Sequence, residues 1–170
     1  MVVVFLSLSI THGSFHDFKI EGLKGDVISM SDYEGKKILV VNTASKCGYT
    51  PQYEDLQKLS KKYADKLVII GFPANDFGKQ EPGTNDEIAE FCEEEYQITF
   101  PMTTKITVKG DNMHEIYKWL TTKELNHFSD SKVKWNFQKY LINERGELIG
   151  VFSSRVKPFA EELIRAIESN

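Results

Sequence analysis

The chain has 170 residues, of which 41% are hydrophobic and 27% charged, values typical of a globular protein with a substantial core. Its net charge of −4 argues against a nucleic-acid partner, because nucleic-acid binders normally carry a strongly basic face. Its two cysteines, Cys47 and Cys92, are too few for a disulfide scaffold or a four-cysteine zinc site, and their spacing excludes a Cys-x-x-Cys dithiol.

The first residues, Met1 to Ile10, are apolar and resemble the hydrophobic part of a secretory signal. They lack a positively charged start and a clear cleavage site before Phe15, and they are too short to span a bilayer. We therefore interpret residues 1–14 as an apolar leader and expect no stable membrane insertion. Both a cytoplasmic location and export, with the leader as a signal remnant, remain open. Residues 15–170 are predicted to form one domain.

The first half of this domain predicts a strand–helix–strand unit. Residues 15–20 alternate in polarity like a short edge strand or the approach to one, and a hairpin is expected around residues 27–30. Two apolar runs, Ile38–Val41 and Leu67–Phe72, predict buried strands. Between them, Thr50 as N-cap and Pro51 as first helical residue predict a helix that runs to about residue 64. The two strands should therefore be parallel.

The second half predicts helices followed by an antiparallel hairpin. A capping box at Thr84–Glu87 starts a helix, a strand is expected to start within residues 103–108, and a further helix passes through residues 116–120. After a polar loop at residues 123–134, two strands at 139–142 and 148–152 form the hairpin, and Pro158 opens a last helix. This order predicts an α/β, thioredoxin-like fold with a central mixed sheet flanked by helices.

Cys47 lies in the predicted turn between the first buried strand and its helix. Free backbone N–H groups and the positive end of the helix dipole favour a thiolate at such a position, and Lys46 adds positive charge. Gly48 leaves the approach to the sulfur open. The alternative is a small buried core residue, the usual role of a free cysteine. Charged and small neighbours in a turn favour the reactive interpretation.

Two further segments should meet Cys47. Binding sites in open α/β sheets form beyond the carboxyl ends of the parallel strands, which places the loop containing Gln80 near the sulfur. Trp135 and Asn136 precede the late hairpin and offer an indole N–H and an amide. Each also has a simpler interpretation, as a core aromatic residue for Trp135 and as turn residues for Gln80 and Asn136.

Three segments resemble the signatures of the glutathione peroxidase family, in the same order. They are Asn42–Thr50 around Cys47, Phe72–Gly83, and Trp135–Phe137, and the resemblance extends from about Phe15 to the carboxyl terminus. It implies a peroxidase without a cofactor or metal, acting on H2O2 and organic hydroperoxides. The family's catalytic tetrad corresponds to Cys47, Gln80, Trp135 and Asn136.

The sequence departs from many family members at four points. Cysteine stands at position 47 where many animal members have selenocysteine, which implies a slower reaction with peroxide. Ala74 replaces a further cysteine, and Asp76 replaces a glutamine and adds negative charge to the loop. The stretch between Pro101 and Trp135 lacks the insertion of the tetrameric animal enzymes, so the resemblance implies a monomer.

The chemistry expected of these residues begins with attack of the Cys47 thiolate on a peroxide oxygen. Neutral donors stabilise the departing oxygen without titrating, and Cys47 becomes a sulfenic acid. Cys92 resembles the resolving cysteine of thioredoxin-dependent members, although it can also be a buried helical residue. Recycling by thioredoxin is the favoured hypothesis. Direct use of glutathione and a peroxide sensor that oxidises a partner protein are the alternatives.

Overall fold

The computed structural model describes residues 13–169. Its main sheet contains four strands in the order β4-β3-β5-β6, and a separate two-stranded sheet pairs β1 with β2. The strands are β1 Lys19–Glu21, β2 Val27–Ser29, β3 Lys37–Thr43, β4 Leu67–Pro73, β5 Lys139–Ile142 and β6 Leu148–Phe152. The helices are α1 Gln52–Lys62, α2 Asn85–Tyr96, α3 Glu115–Thr121, α4 Lys123–Asn126 and α5 Glu161–Glu168.

The topology confirms the predicted mixed α/β sheet. Strands β3 and β4 are parallel and α1 connects them, whereas β5 pairs antiparallel with both β3 and β6. The hairpin of β1 with β2 and that of β5 with β6 are both present. Because β3 is flanked by β4 and β5, its carboxyl end brings α1 and the segment before β5 to the same edge of the sheet.

The central strands are apolar throughout because both faces of the sheet are covered. All seven residues of β3 are buried. Ile38 and Val40 pack on one face with α3, whereas Leu39 and Val41 pack on the other with α1, α2 and α5. A strand that is buried on both faces gains from apolar side chains at every position, which explains why its sequence does not alternate.

One predicted strand is wrong, and another is shorter than its sequence pattern. Residues 15–20 begin as a 3-10 turn, Phe15–Asp17, which Ser14 caps, and so form the approach to the short strand β1. Residues 103–108 form no regular strand. Their N–H groups bond to scattered acceptors, including the carbonyls of Glu21 and Pro73, so no single neighbouring strand supplies a ladder.

Two helical predictions also need correction. The segment predicted as a polar loop contains the short helix α4, whose last residue, Asn126, donates to the carbonyls of Trp119 and Leu120. Helix α5 begins at Glu161, three residues beyond the predicted start at Pro158. The intervening Phe159 is 39% exposed, so it does not belong to the buried face of that helix.

Residues 1–12, the greater part of the predicted leader, lie outside the described residues. The division into a leader and one domain over residues 15–170 therefore stays a prediction. Between residues 13 and 169, no helix is both long and apolar enough to cross a membrane.

Candidate active site

Cys47 lies in the turn that joins β3 to α1, as predicted. Thr50 holds this turn closed, because its hydroxyl accepts from the Cys47 N–H at 3.0 Å and donates to the Ala44 carbonyl at 2.7 Å. The prediction that Thr50 caps α1 is wrong, since the helix begins at Gln52 and its preceding residue makes no side-chain cap. Thr50 instead fixes the backbone that carries the sulfur.

The sulfur of Cys47 is more buried than the sequence suggested. The residue is 8% exposed and packs with the core on the α1 side of the sheet. The Tyr49 N–H donates to Sγ at 3.4 Å, a contact that stabilises negative charge on sulfur. A Cβ built at Gly48 would meet no other atom within 4 Å, so the chain leaves space beside the cysteine, as predicted.

The loop that follows β4 runs directly alongside this turn. The Lys46 N–H donates to the Gln80 carbonyl at 3.0 Å, which joins the residue before Cys47 to the predicted donor residue. Asn75 supports the loop by accepting from the Glu81 N–H at 2.9 Å. Gly78 and Lys79 both have positive φ angles, 63° and 53°, and these conformations turn the chain back towards Cys47.

The segment before β5 supplies the third part of the site. Asn42 at the end of β3 donates its side-chain amide to the Trp135 carbonyl at 3.1 Å, and its own carbonyl accepts from the Phe137 N–H at 2.6 Å. The Trp135 ring is 38% exposed and lies 5.6 Å from the Phe77 ring, centroid to centroid. The donor turn, residues 135–137, is therefore tied to the strand that leads to Cys47.

Gln80 and Asn136 are in direct contact. The Asn136 amide donates to Gln80 Oε1 at 2.9 Å, and Asn136 is fully buried. The structure thus brings the loop of Gln80 against the turn of Cys47 on one side and against the donor turn on the other.

The Tyr49 N–H, Asn42 and Thr50 also shape the site. All three residues belong to the first signature, but the sequence did not predict these roles, because they depend on the backbone geometry of the folded turn.

Cys92 is enclosed in the intact helix α2. It is 3% exposed, its thiol lies 3.6 Å from the Tyr53 hydroxyl, and it packs in the same core as Cys47. Burial raises the pKa of the Cys92 thiol to about 11, which the Tyr53 hydrogen bond only partly opposes. Both cysteines are free thiols. Cys92 in this state is a protonated thiol.

Two acidic side chains of the same loop, Asp76 and Glu81, differ in their surroundings. Asp76, where the added negative charge was noted, accepts from the Val108 N–H at 2.8 Å and so ties the loop after β4 to the irregular segment 103–108. Glu81 is buried, and burial raises the pKa of its carboxyl. In the part of the chain that the structure describes, no cluster of histidine, cysteine, aspartate or glutamate could hold a metal ion.

Comparison with known proteins identifies the family. A family model described as glutathione peroxidase matches residues 15–121. The chain belongs to the glutathione peroxidase family. The chain is 46% identical over 156 residues to the glutathione peroxidase-like peroxiredoxin gpx1 of Schizosaccharomyces pombe, a match that covers 91% of this chain and 97% of that protein. This peroxidase family was the one indicated by the three signatures, so that prediction is confirmed and the protein is a thiol peroxidase.

Solved structures support the fold of this family member. The crystal structure of Trgpx in its apo form is 39% identical, covers 92% of this chain and 96% of its own, and superposes with a TM-score of 0.69. A thioredoxin family protein from Chlorobium tepidum, a thiol:disulfide interchange protein, is 18% identical with a TM-score of 0.59 over 88% of this chain and 92% of its own. The second likeness shows the fold alone and confirms the thioredoxin-like architecture.

Proposed function

We propose that Cys47 is the nucleophile of a peroxidase that reduces hydroperoxides. The Cys47 thiolate attacks one peroxide oxygen, the O–O bond breaks, and the other oxygen leaves as hydroxide or alkoxide and takes up a proton. The products are a Cys47 sulfenic acid and water or an alcohol. The turn geometry supports this role, because a backbone N–H faces the sulfur and Gly48 leaves space for a peroxide.

Gln80, Trp135 and Asn136 are the proposed donors to the departing oxygen. The observation that carries the proposal is the hydrogen bond from Asn136 to Gln80. It joins the donor turn to the loop after β4, and the backbone of that loop is bonded to the turn that carries Cys47. That bond uses Gln80 Oε1 as acceptor, which leaves the Gln80 amide N–H groups available as donors. Neutral donors of this kind stabilise the negative charge that develops on the departing oxygen without titrating themselves.

Cys92 is the proposed resolving residue. Its thiol displaces the hydroxyl of the Cys47 sulfenic acid, which forms a Cys47–Cys92 disulfide and releases water. Because Cys92 is enclosed in an intact α2, this segment must open before the sulfurs can bond. Opening also removes the burial that raises the thiol pKa, so the movement both delivers and activates the nucleophile.

Thioredoxin is the proposed reductant of that disulfide. A dithiol protein attacks one sulfur, and its second thiol then completes the exchange, which returns both cysteines to the reduced state. The similarity to a protein named glutathione peroxidase-like peroxiredoxin supports this choice, as does the presence of a second cysteine packed in the same core. Glutathione acting through a mixed disulfide on Cys47, and a sensor that oxidises a partner, are the competing functions.

One coupled assay separates these functions. NADPH consumption is followed with H2O2 and either thioredoxin with its reductase or glutathione with its reductase, with Cys47→Ser as the matched control. Sustained turnover with thioredoxin alone, absent in Cys47→Ser, is the expected result. Faster turnover with glutathione than with thioredoxin would show that glutathione is the reductant. A single stoichiometric burst with both would favour the sensor, and full activity of Cys47→Ser would overturn the nucleophile assignment.

A further inference from the structure

Lys139 is a buried lysine beneath the candidate active site. It is the first residue of β5, is 0% exposed, and pairs across the sheet with Val41 and Phe152. Among residues 13–169 it has no carboxylate partner, and its ammonium group donates to two neutral oxygens, Gln52 Oε1 at 2.8 Å and the Phe137 carbonyl at 2.7 Å. Burial lowers the pKa of Lys139 to about 7.

The two acceptors lie on two different segments of the site. Phe137 ends the donor turn, and Gln52 is the first residue of α1, directly after the turn that carries Cys47. Phe137 has a φ of 65°, a left-handed conformation that is unfavourable for a bulky residue and persists only where the surroundings impose it. The Lys139 ammonium group therefore bridges the helix beside Cys47 to a strained residue next to Asn136.

A purely structural requirement does not explain a lysine here. The neighbouring strand positions are apolar, and removing an ammonium group from water without a carboxylate partner is unfavourable, so an apolar side chain would fill this site more stably. An ammonium group does provide donors that reach two acceptors on separate elements, and charge-assisted hydrogen bonds are about twice as strong as neutral ones.

We propose that Lys139 is a positioning residue for the peroxide-reducing step. It holds the Phe137 carbonyl, and through it the donor turn, at a fixed place relative to Cys47, so that the donors meet the departing oxygen. Lys139 acts through Phe137 and touches neither peroxide nor sulfur in this role. The inference rests on the proposed function, because it presumes that Cys47 is oxidised and that the donor turn stabilises the departing oxygen.

Two reactions of Cys47 distinguish positioning from general support. Oxidation by H2O2 needs donors at the departing oxygen, whereas alkylation by iodoacetamide needs only an accessible thiolate. Both rates are measured by stopped-flow and mass spectrometry in wild type, Lys139→Met and Gln52→Leu. Lys36→Met is the matched control, because Lys36 also donates to a carbonyl, that of Ala64 at 2.8 Å, but outside the site.

The expected result is a split between the two reactions. Lys139→Met should lower the H2O2 rate by about tenfold or more and leave the alkylation rate within about threefold, with a folded, cooperative melting transition. Gln52→Leu, which keeps the bond to Phe137, should have a smaller effect, and Lys36→Met none. An H2O2 rate within twofold of wild type, an equal fall of both rates, or loss of folding in Lys139→Met would overturn the inference. Activity retained by Cys47→Ser would instead contradict the proposed function.

Discussion

The side-chain amide of Asn136 donates to Oε1 of Gln80 at 2.9 Å, across 56 positions of the chain. This bond orients both amides: it engages the acceptor of Gln80 and leaves its N–H groups free, and it holds the fully buried Asn136 against the loop that follows β4. The Gln80 carbonyl in turn accepts from the residue before Cys47. Gln80 and Asn136, two of the proposed donors, therefore orient each other.

Removal of a donor should slow oxidation of Cys47 while the protein stays folded. Gln80→Ala and Asn136→Ala should each lower the H2O2 rate by about 10²–10³-fold, the usual effect of deleting one such donor. Trp135→Phe keeps an aromatic ring next to Phe77 but removes the indole N–H, and it should also slow the reaction. Stopped-flow fluorescence gives the rates. Asn112→Ala, at an exposed amide outside the site, is the control; rates within twofold of wild type in the donor variants would contradict the assignment.

Substitution of Cys92 should separate the two halves of the catalytic cycle. Cys92→Ser should react with the first equivalent of H2O2 at the wild-type rate but lose thioredoxin-driven turnover, and its Cys47 should proceed to sulfinic and sulfonic forms. Peptide mass mapping of the wild type after one equivalent of H2O2 should show a Cys47–Cys92 crosslink. If thioredoxin-dependent turnover is undiminished in Cys92→Ser, or the crosslink is absent, then Cys92 is a core residue.

The protein should be a monomer in solution. The stretch between Pro101 and Trp135 contains the short helices α3 and α4, and the resemblance to compact members of the family implies that it lacks the insertion associated with tetramers. Sedimentation velocity at micromolar concentrations should give one species near the chain mass of 19.5 kDa. A stable tetramer under these conditions would refute the prediction.

Lys139 should make stability depend on pH in a defined direction. Its pKa is about 7 in the folded protein against 10.5 for a free lysine side chain, so between these values the unfolded chain binds more protons. Wild-type stability should therefore gain up to about 1.4 kcal/mol per pH unit from this group as the pH rises from 7 to 10. Lys139→Met lacks this pH-dependent contribution. Compared with wild type, the variant should therefore be most stable at or below pH 7 and become progressively less stable as the pH rises above 7.

Urea denaturation of both proteins at pH 6, 7, 8 and 9 measures this difference. The wild-type and Lys139→Met curves share all other titrating groups, so their difference isolates Lys139. A difference that is independent of pH between 7 and 9 would show that the folded-state pKa is not lowered.

The capping box of α2 should contribute measurably to stability. Thr84 accepts from the Glu87 N–H at 3.2 Å and the Glu87 carboxylate accepts from the Thr84 N–H at 2.7 Å, as the sequence predicted. Thr84→Ala should lower the free energy of unfolding by about 1 kcal/mol. Thr122→Ala is the matched control, since Thr122 precedes α4 without a side-chain cap, and an equal loss in both would contradict a capping effect.

Several features of the fold could be predicted because their cause is local. Continuous apolar runs identified β3 and β4, a short glycine-containing link identified the hairpin of β5 and β6, and Thr84 with Glu87 identified the start of α2. The position of Cys47 between a strand and a helix followed from the same signals. These patterns depend on neighbours within a few residues, which the sequence displays directly.

Other features depended on partners far along the chain. Thr50 looked like an N-cap, but its hydroxyl bonds to the Ala44 carbonyl and the Cys47 N–H, so the turn and not the helix uses it. Residues 103–108 had the composition of a strand, but no neighbouring strand edge supplies them with a ladder. Local composition does not reveal which acceptor a backbone N–H will find.

The sequence by itself determined the family, the thioredoxin-like plan and the residues expected to meet at Cys47, because these follow from short patterns in a fixed order. Only the tertiary structure decided how they meet: Gln80 against Asn136, Cys92 enclosed in α2, and Lys139 buried beneath the site. The physical reason is that burial and long-range hydrogen bonds arise when the layers close over the sheet. A lysine at the start of a strand looks exposed until the elements that cover it are in place.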